Sequence, residues 1–222
     1  MLNPIEEAKF AELKNKCREL KVPSPSEIMI KLKVHDKNGI LTFDDIQRGH
    51  SWTRNYYNMI FNQGAYGKPT TTTFGAGYIS GKTITGGVNA QYSTSWAPNI
   101  IPCLIRVGTS DTAFSVEQYA LGGIIEDGSS SGKLTHVTQA TPTSSYISGT
   151  KTWKSTIDRV FNNNSGAIII VKEVALYSQS VMWGSGDGWM PERSVLDPTV
   201  SVANGAQLTV TYEISMDFSA ID

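Results

Sequence analysis

Alternation of apolar and polar side chains within residues 151–216 constrains the fold of this 222-residue chain most strongly. Apolar groups occupy every second position of 208–216, and a period of two also runs through 152–161. Such a period buries one face of a strand and leaves the other in water, which is typical of antiparallel sheets. Turn residues at 162–166 separate this run from the β-branched run 168–171. The stretch therefore predicts half of an antiparallel β-sandwich.

A β-hairpin is predicted near the N-terminus. Residues 28–34 alternate in the same way, and a second apolar run at 40–43 follows the dipeptide Asn38-Gly39. Asn-Gly between alternating runs is the strongest short-range hairpin signal. A calcium-binding loop is the alternative for 35–40, but its twelfth position would be Asp45 and no helix precedes it. A plain hairpin is therefore the prediction.

A helix is predicted before this hairpin. Asn3 can cap it, and Pro4 suits its first turn. Its apolar seam, at 3-4-3 spacing, consists of Phe10, Leu13, Cys17 and Leu20. We interpret residues 1–26 as this helix with a Pro/Ser-rich linker, and residues 27–222 as one β-sandwich domain. The helix either packs on its own domain or docks on a neighbouring subunit through Phe10 and Leu13.

A second helix is predicted from Trp52 to about residue 62. Ser51 or Thr53 can cap it, and Trp52 and Tyr56 would share one stripe. This stripe either packs on the sheet or, together with Arg54, forms a subunit interface. The second alternative is considered because Trp, Tyr and Arg are the residues that carry most interface energy.

Residues 63–99 predict a long Gly/Thr-rich arm. The spacing of its glycines fits neither a Walker loop nor a dinucleotide fingerprint. Loops of this length inside compact domains are uncommon, and its aromatic residues argue against plain disorder. We expect the arm to become ordered against a partner. The aromatic residues assigned to that contact are Tyr66, Phe74, Tyr78 and Trp96.

Composition and residue spacing point away from several functions. The net charge is −1 and only 18% of residues are charged, so neither nucleic acid nor a membrane surface is a predicted partner. Cys17 and Cys103 are predicted to be buried apolar groups rather than a disulfide. The three histidines are scattered, and His50 beside Ser51 has no third group to complete a catalytic arrangement. The chain is therefore predicted to have no enzymatic activity, cofactor or metal.

Five pieces of the sequence resemble motifs of small virion structural proteins of tailed bacteriophages. In chain order they are Gly108–Ala113, Arg159–Gly166, Lys172–Tyr177, Glu192–Leu196 and Val202–Tyr212. Ala175 stands where such proteins often have glycine. The resemblance covers roughly the last half of the chain, and its motifs describe a β-sandwich rather than a catalytic site. It implies that the chain is a virion component.

We therefore predict a mainly β protein: a jelly-roll-like antiparallel β-sandwich with an N-terminal helix, one further short helix and a long arm. Copies would be made in the host bacterial cytoplasm and assemble in the virion, as a ring or cluster in the tail, neck or fibre-attachment region. Their partners would be other copies and other virion proteins of the tail, portal or neck, fibre or capsid. One alternative is a capsid decoration protein. Another is a carbohydrate- or receptor-binding module that uses Trp183, Trp189 and Tyr177.

Overall fold

Two antiparallel β-sheets share one apolar core. The computed structural model describes residues 2–49, 52–57, 105–179 and 188–221; within them, the side chains of 178, 179, 188 and 189 are left undescribed. Each sheet is built from antiparallel pairs, and buried residues of both sheets belong to the same core. The prediction of a mainly β, antiparallel protein is thereby confirmed. Jelly-roll connectivity stays a prediction.

The described ranges contain one long helix and nine strands. The helix is α1 (Pro4–Leu20), and the strands are β1 (Glu27–His35), β2 (Leu41–Arg48), β3 (Ile105–Gly108), β4 (Thr135–His136), β5 (Thr143–Ile147), β6 (Thr152–Asn162), β7 (Ile169–Gln179), β8 (Gly188–Val202) and β9 (Gln207–Asp217). A 3-10 turn at Ser219–Ile221 follows β9. Residues 54–57 are helical and fall within the second predicted helix. The rest of that helix and the predicted arm lie outside the described residues.

The larger sheet brings together strands from both ends of the described chain. Its order is β2-β1-β9-β6-β4, and β5 also pairs with β6. Glu27 of β1 lies opposite Ser215 of β9, and Val34 lies opposite Leu208. The smaller sheet has the order β3-β7-β8. The sandwich is therefore complete only when β1 has met β9.

The core follows directly from the alternation in the sequence. In β1 the residues from Ile28 to Val34 at every second position are buried, whereas Lys31 and Lys33 lie on the opposite face. Val171 and Val174 of β7 belong to the same core cluster. Each side chain of this kind contributes about 1.5–3 kcal/mol when it is fully buried. As predicted, Asn38-Gly39 lies in the turn that joins β1 and β2.

α1 packs on its own domain through a narrow, partly polar stripe. Asn3 caps it by accepting a hydrogen bond from the backbone of Ile5 at 3.0 Å. The Arg48 guanidinium lies over the Phe10 ring, 4.0 Å from its centre, and forms ion pairs with Glu7 and Glu27. Charged contacts with the end of the larger sheet thus help to orient this helix.

The predicted apolar seam of α1 packs only in part on its own domain. Cys17 is buried and not disulfide-bonded, as predicted, and Phe10 is half-buried. Leu13 and Leu20, however, are 41% and 73% exposed. At 3.6 residues per turn all four residues lie within about 80° on one side of the helix, so Leu13 and Leu20 mark the edge of the stripe that packs on the domain. The linker that follows is fastened at Ser24, which is hydrogen-bonded to the backbone of Asp217 in both directions.

Candidate functional site

Two of the aromatic residues assigned to an interface belong instead to the core or its edge. Trp52 is only 6% exposed, and its indole N–H donates to the Ser26 hydroxyl at 2.7 Å. Tyr56 stacks on Trp52 with ring centres 3.9 Å apart. Thr53 fixes this segment to β8 through backbone and hydroxyl hydrogen bonds to Pro191 and Met190. Trp52 and Tyr56 therefore follow the first alternative, in which the aromatic stripe packs on the sheet of its own domain.

Arg54 is partly exposed beside this core. Its backbone N–H donates to the Val116 carbonyl at 2.7 Å, and its guanidinium pairs with Glu117 at 2.9 Å. Tyr57, Val116 and Tyr119 are all exposed. We call the surface formed by Arg54, Tyr57 and residues 116–119 the Arg54 face. It combines an arginine, two tyrosines and an aliphatic side chain, a composition typical of contact surfaces.

The remaining predicted contact residues are placed as follows. Phe10 contacts Arg48 and Lys14 of its own chain, and Leu13 is exposed on α1. Trp189 lies in β8, but its side chain is outside the description. Five others lie outside the described residues altogether: Tyr66, Phe74, Tyr78, Trp96 and Trp183.

A buried carboxylate joins β7 to the loop that follows β3. Glu173 is fully buried, and its two oxygens accept hydrogen bonds from three backbone N–H groups. The donors are Gly123 at 2.9 Å, Ser110 at 3.2 Å and Gly122 at 3.3 Å. A side chain on Gly108 would overlap the Glu173 carboxylate. Glycine is therefore required for the backbone to approach this closely.

The same carboxylate is paired with a buried arginine on β8. Arg193 is also fully buried, and its Nε donates to Glu173 Oε2 at 2.6 Å. Its Nη1 donates to the Thr112 carbonyl at 2.9 Å and to Gln118 Oε1 at 3.0 Å. The ion pair thus holds two strands and both ends of a loop in one arrangement.

Three of the five sequence pieces meet at this ion pair. Gly108–Ala113 supplies the loop, Lys172–Tyr177 supplies Glu173, and Glu192–Leu196 supplies Arg193. An exposed ion pair between Lys172 and Asp111, at 2.8 Å, joins the first two pieces a second time. Pieces that are far apart in the sequence are therefore parts of one structural unit.

The other two pieces meet at a second junction. The fully buried Asn163 donates from its amide to the carbonyls of Ala167 and Val202, at 2.8 and 2.7 Å. Asn204 accepts from the backbone of Gly166 at 2.9 Å. These bonds fasten the turn after β6 to the turn between β8 and β9.

A second buried carboxyl belongs to Glu192, the residue before Arg193 on β8. Glu192 accepts hydrogen bonds from the hydroxyls of Ser194 and Tyr212, at 2.6 and 2.7 Å. It also forms a β-bridge with Trp52. Burial raises the pKa of Glu192 from its ordinary 4.5 to about 7, although both hydroxyls and the charge of Arg193 act against this shift. The carboxyl can therefore hold a proton near neutral pH, which couples the stability of the fold to pH.

Sequence reasoning did not assign roles to Glu173, Arg193 or Glu192. A usable signal was present, because Lys172 and Glu173 interrupt the apolar run 168–177 and only Glu173 lies on the buried face. A charged residue inside such a run is buried only when it is paired. Tyr177 was placed near a loop end as a candidate ligand contact, and this is wrong. It is buried, and its hydroxyl accepts from the backbone of Leu121 at 3.0 Å.

The described residues contain neither a metal cluster nor a membrane-spanning helix, and comparisons with known proteins add no relative. In the described part of the chain, no three His, Cys, Asp or Glu side chains are grouped to hold a metal ion. The only long helix of those ranges, α1, lacks the length and apolar character for crossing a membrane. A scan of protein-family models and searches of curated proteins and of solved structures found no match to this chain.

Proposed function

We propose that this chain is a structural component of a tailed-phage virion, in which copies assemble with each other and with other virion proteins. The tail, neck or fibre-attachment region is the proposed location. One observation carries the proposal: the five pieces that resemble such proteins meet at two buried junctions, around Glu173–Arg193 and around Asn163. The pieces that carry the resemblance are therefore connected in the fold, which supports the proposal.

The exposed surface supports the same proposal. The chain has little net charge, and the Arg54 face presents tyrosines and an aliphatic residue to solvent. Exposed aromatic and apolar groups beside an arginine are typical of surfaces that other proteins cover. The receptor-binding alternative has less support, because Tyr177 is buried and bonded within the core.

A protein inventory of purified phage particles tests the proposal. Quantitative mass spectrometry of particles from the phage that encodes this chain should detect it at a fixed copy number. Closed symmetric assemblies are the rule for such subunits, so about six or twelve copies would support the tail or neck. A copy number near that of the major capsid protein would support the decoration alternative. Absence of the chain from infectious particles would overturn the proposal.

Arg54→Ala should reduce incorporation into particles without changing the stability of the isolated subunit. The ion pair with Glu117 is about half exposed on both sides, and such pairs contribute only about 0–1 kcal/mol. Loss of a contact arginine from an interface costs considerably more, because a partner group is left buried and unpaired. The measurements are the melting temperature of the variant and its copy number in particles.

Lys33→Ala is the matched control for this variant. Lys33 and Asp44 form another exposed ion pair, on the larger sheet at 3.7 Å. The control should change neither melting temperature nor copy number. If Arg54→Ala lowers the melting temperature while its copy number stays normal, the Arg54 face is part of the subunit's own structure and the contact must lie elsewhere.

A further inference from the structure

Within the described residues, strand β5 forms an edge of the larger sheet, and the strand itself contains none of the residues that usually block an edge. Among the described strands it pairs only with β6, and all five of its residues are exposed. The strand, Thr143–Ile147, contains no charged residue and no proline. Exposed edges present unpaired backbone groups to other strands, and soluble proteins normally block them with charge, proline or a bulge.

Two other edge strands in the described part of the chain, β2 and β8, do carry such devices. β2, at the opposite edge of the same sheet, contains Asp44, Asp45 and Arg48, and the pairing of β1 with β2 shifts register near His35. β8, at an edge of the smaller sheet, contains two prolines. β2 and β8 are therefore protected in ways that β5 is not.

Two large aromatic side chains lie beside this edge on one face of the sheet. Tyr146 of β5 is directly opposite Trp153 of β6, and they are 50% and 47% exposed. Trp153 shares its face with Ile157 and Phe161, which are buried farther along the same strand. The face that forms the core thus continues into solvent at the β5 end. Tyr and Trp are the residues that most often dominate contact energies.

We propose that β5 pairs antiparallel with β5 of a second copy of this chain, with its central residue Ser145 opposite Ser145 of that copy. A two-fold axis perpendicular to the sheet aligns two identical edge strands in this way and keeps the same face on the same side. The two larger sheets then form one continuous sheet, with Tyr146 and Trp153 of both copies on one surface. The proposal rests on the self-assembly proposed above and specifies the contact through which copies meet.

Charge does not oppose a second copy as the partner. The nearest cross-strand charge is Lys154, opposite Ser145, and Lys154 is already paired with Glu213 at 2.9 Å. Neighbouring strands are about 4.8 Å apart, so two Lys154 residues would be separated by about 14 Å across the contact. This exceeds the Debye length of about 8 Å at physiological salt. Like-charge repulsion therefore does not oppose pairing, and the strand itself is uncharged.

Ser145→Glu tests the contact. In one copy the new carboxylate lies opposite Lys154, which favours the fold. In the proposed pair two carboxylates face each other across the contact, so the dissociation constant for self-association should rise by about tenfold or more. Sedimentation equilibrium measures the mass and the dissociation constant, and circular dichroism checks that the fold is retained. Leu41→Lys, a new charge on the exposed start of β2, is the control and should leave self-association unchanged.

A mixing experiment identifies the strand directly. Ser145→Lys alone should also weaken association, but an equimolar mixture with Ser145→Glu should restore it, because opposite charges then meet across the contact. If the Ser145→Glu variant oligomerises as well as the parent protein does, this contact is overturned and the proposed self-assembly stays intact. A parent that stays monomeric at every concentration would also overturn the contact, while the particle inventory would decide the proposed function separately.

Discussion

Arg193→Met is expected to destabilise the fold by about 3–5 kcal/mol, because it leaves the Glu173 carboxylate buried without its counter-charge. Both side chains are fully buried and joined at 2.6 Å. The loop bonds from Arg193 to Thr112 and Gln118 are lost as well. Urea unfolding at pH 7 gives the free energy, and the loop 108–123 should become more accessible to protease.

Two further variants test whether the loss of stability arises from the unpaired charge. Arg193→Met combined with Glu173→Gln should recover part of the loss, because a neutral amide replaces the isolated carboxylate. Lys172→Ala breaks the neighbouring exposed ion pair with Asp111 and should cost less than about 1 kcal/mol. If Arg193→Met also costs less than about 1 kcal/mol, the buried pair does not hold the loop in place.

Glu192→Gln should remove a pH dependence of about 3 kcal/mol from the stability of the fold. Burial raises the pKa of Glu192 to about 7, from 4.5. Between these values the folded protein keeps a proton that the unfolded chain releases. The stabilisation from protonated Glu192 is therefore complete below pH 4.5 and is lost as pH rises to about 7. Relative to the parent, Glu192→Gln should become about 3 kcal/mol more stable between pH 4.5 and 7.5.

The comparison must be made as a difference between the two proteins, because His136 acts in the opposite direction. Burial, together with the charge of Arg159, lowers the pKa of His136 from 6.5 to about 4. In that range the unfolded chain binds the proton, so the contribution of His136 to stability rises with pH. Both proteins contain His136, so its contribution cancels in the difference. A difference that stays constant from pH 4.5 to 7.5 would show that Glu192 keeps its ordinary pKa.

Most of the strand architecture could be predicted because it follows from local pattern. Alternation in 28–34 and 208–216 determines which face of each strand is buried, and Asn38-Gly39 determines the turn. The same local reasoning did not decide whether Leu13 and Leu20 are covered by the domain or exposed. Their helical spacing says which residues lie near each other on α1, but Arg48 and Lys14 help to determine which side faces the domain.

The buried polar junctions could not be derived from local pattern, because their partners are distant in sequence. Glu173 finds its donors at Ser110 and Gly123 and its counter-charge at Arg193. Nothing within a few residues of Glu173 specifies these partners. The resemblance named sequence pieces that lie together in the fold, but it did not say which side chains join them. Trp52 shows a related limit of local pattern, because aromatic residues have the same helical spacing whether they pack in a core or form an interface.

The pairing of β1 with β9 has a consequence for how the protein is made. Glu27 of β1 cannot pair with Ser215 of β9 until Ser215 has been synthesised. Ribosomes add about 5–20 residues per second, so β1 is without this partner for about 10–40 s. During this time the side chains of Ile28, Ile30 and Leu32 cannot be covered by the completed sandwich. Contacts between such distant residues also slow folding itself. The nascent chain is therefore expected to engage chaperones and to reach its native state only after translation has passed β9.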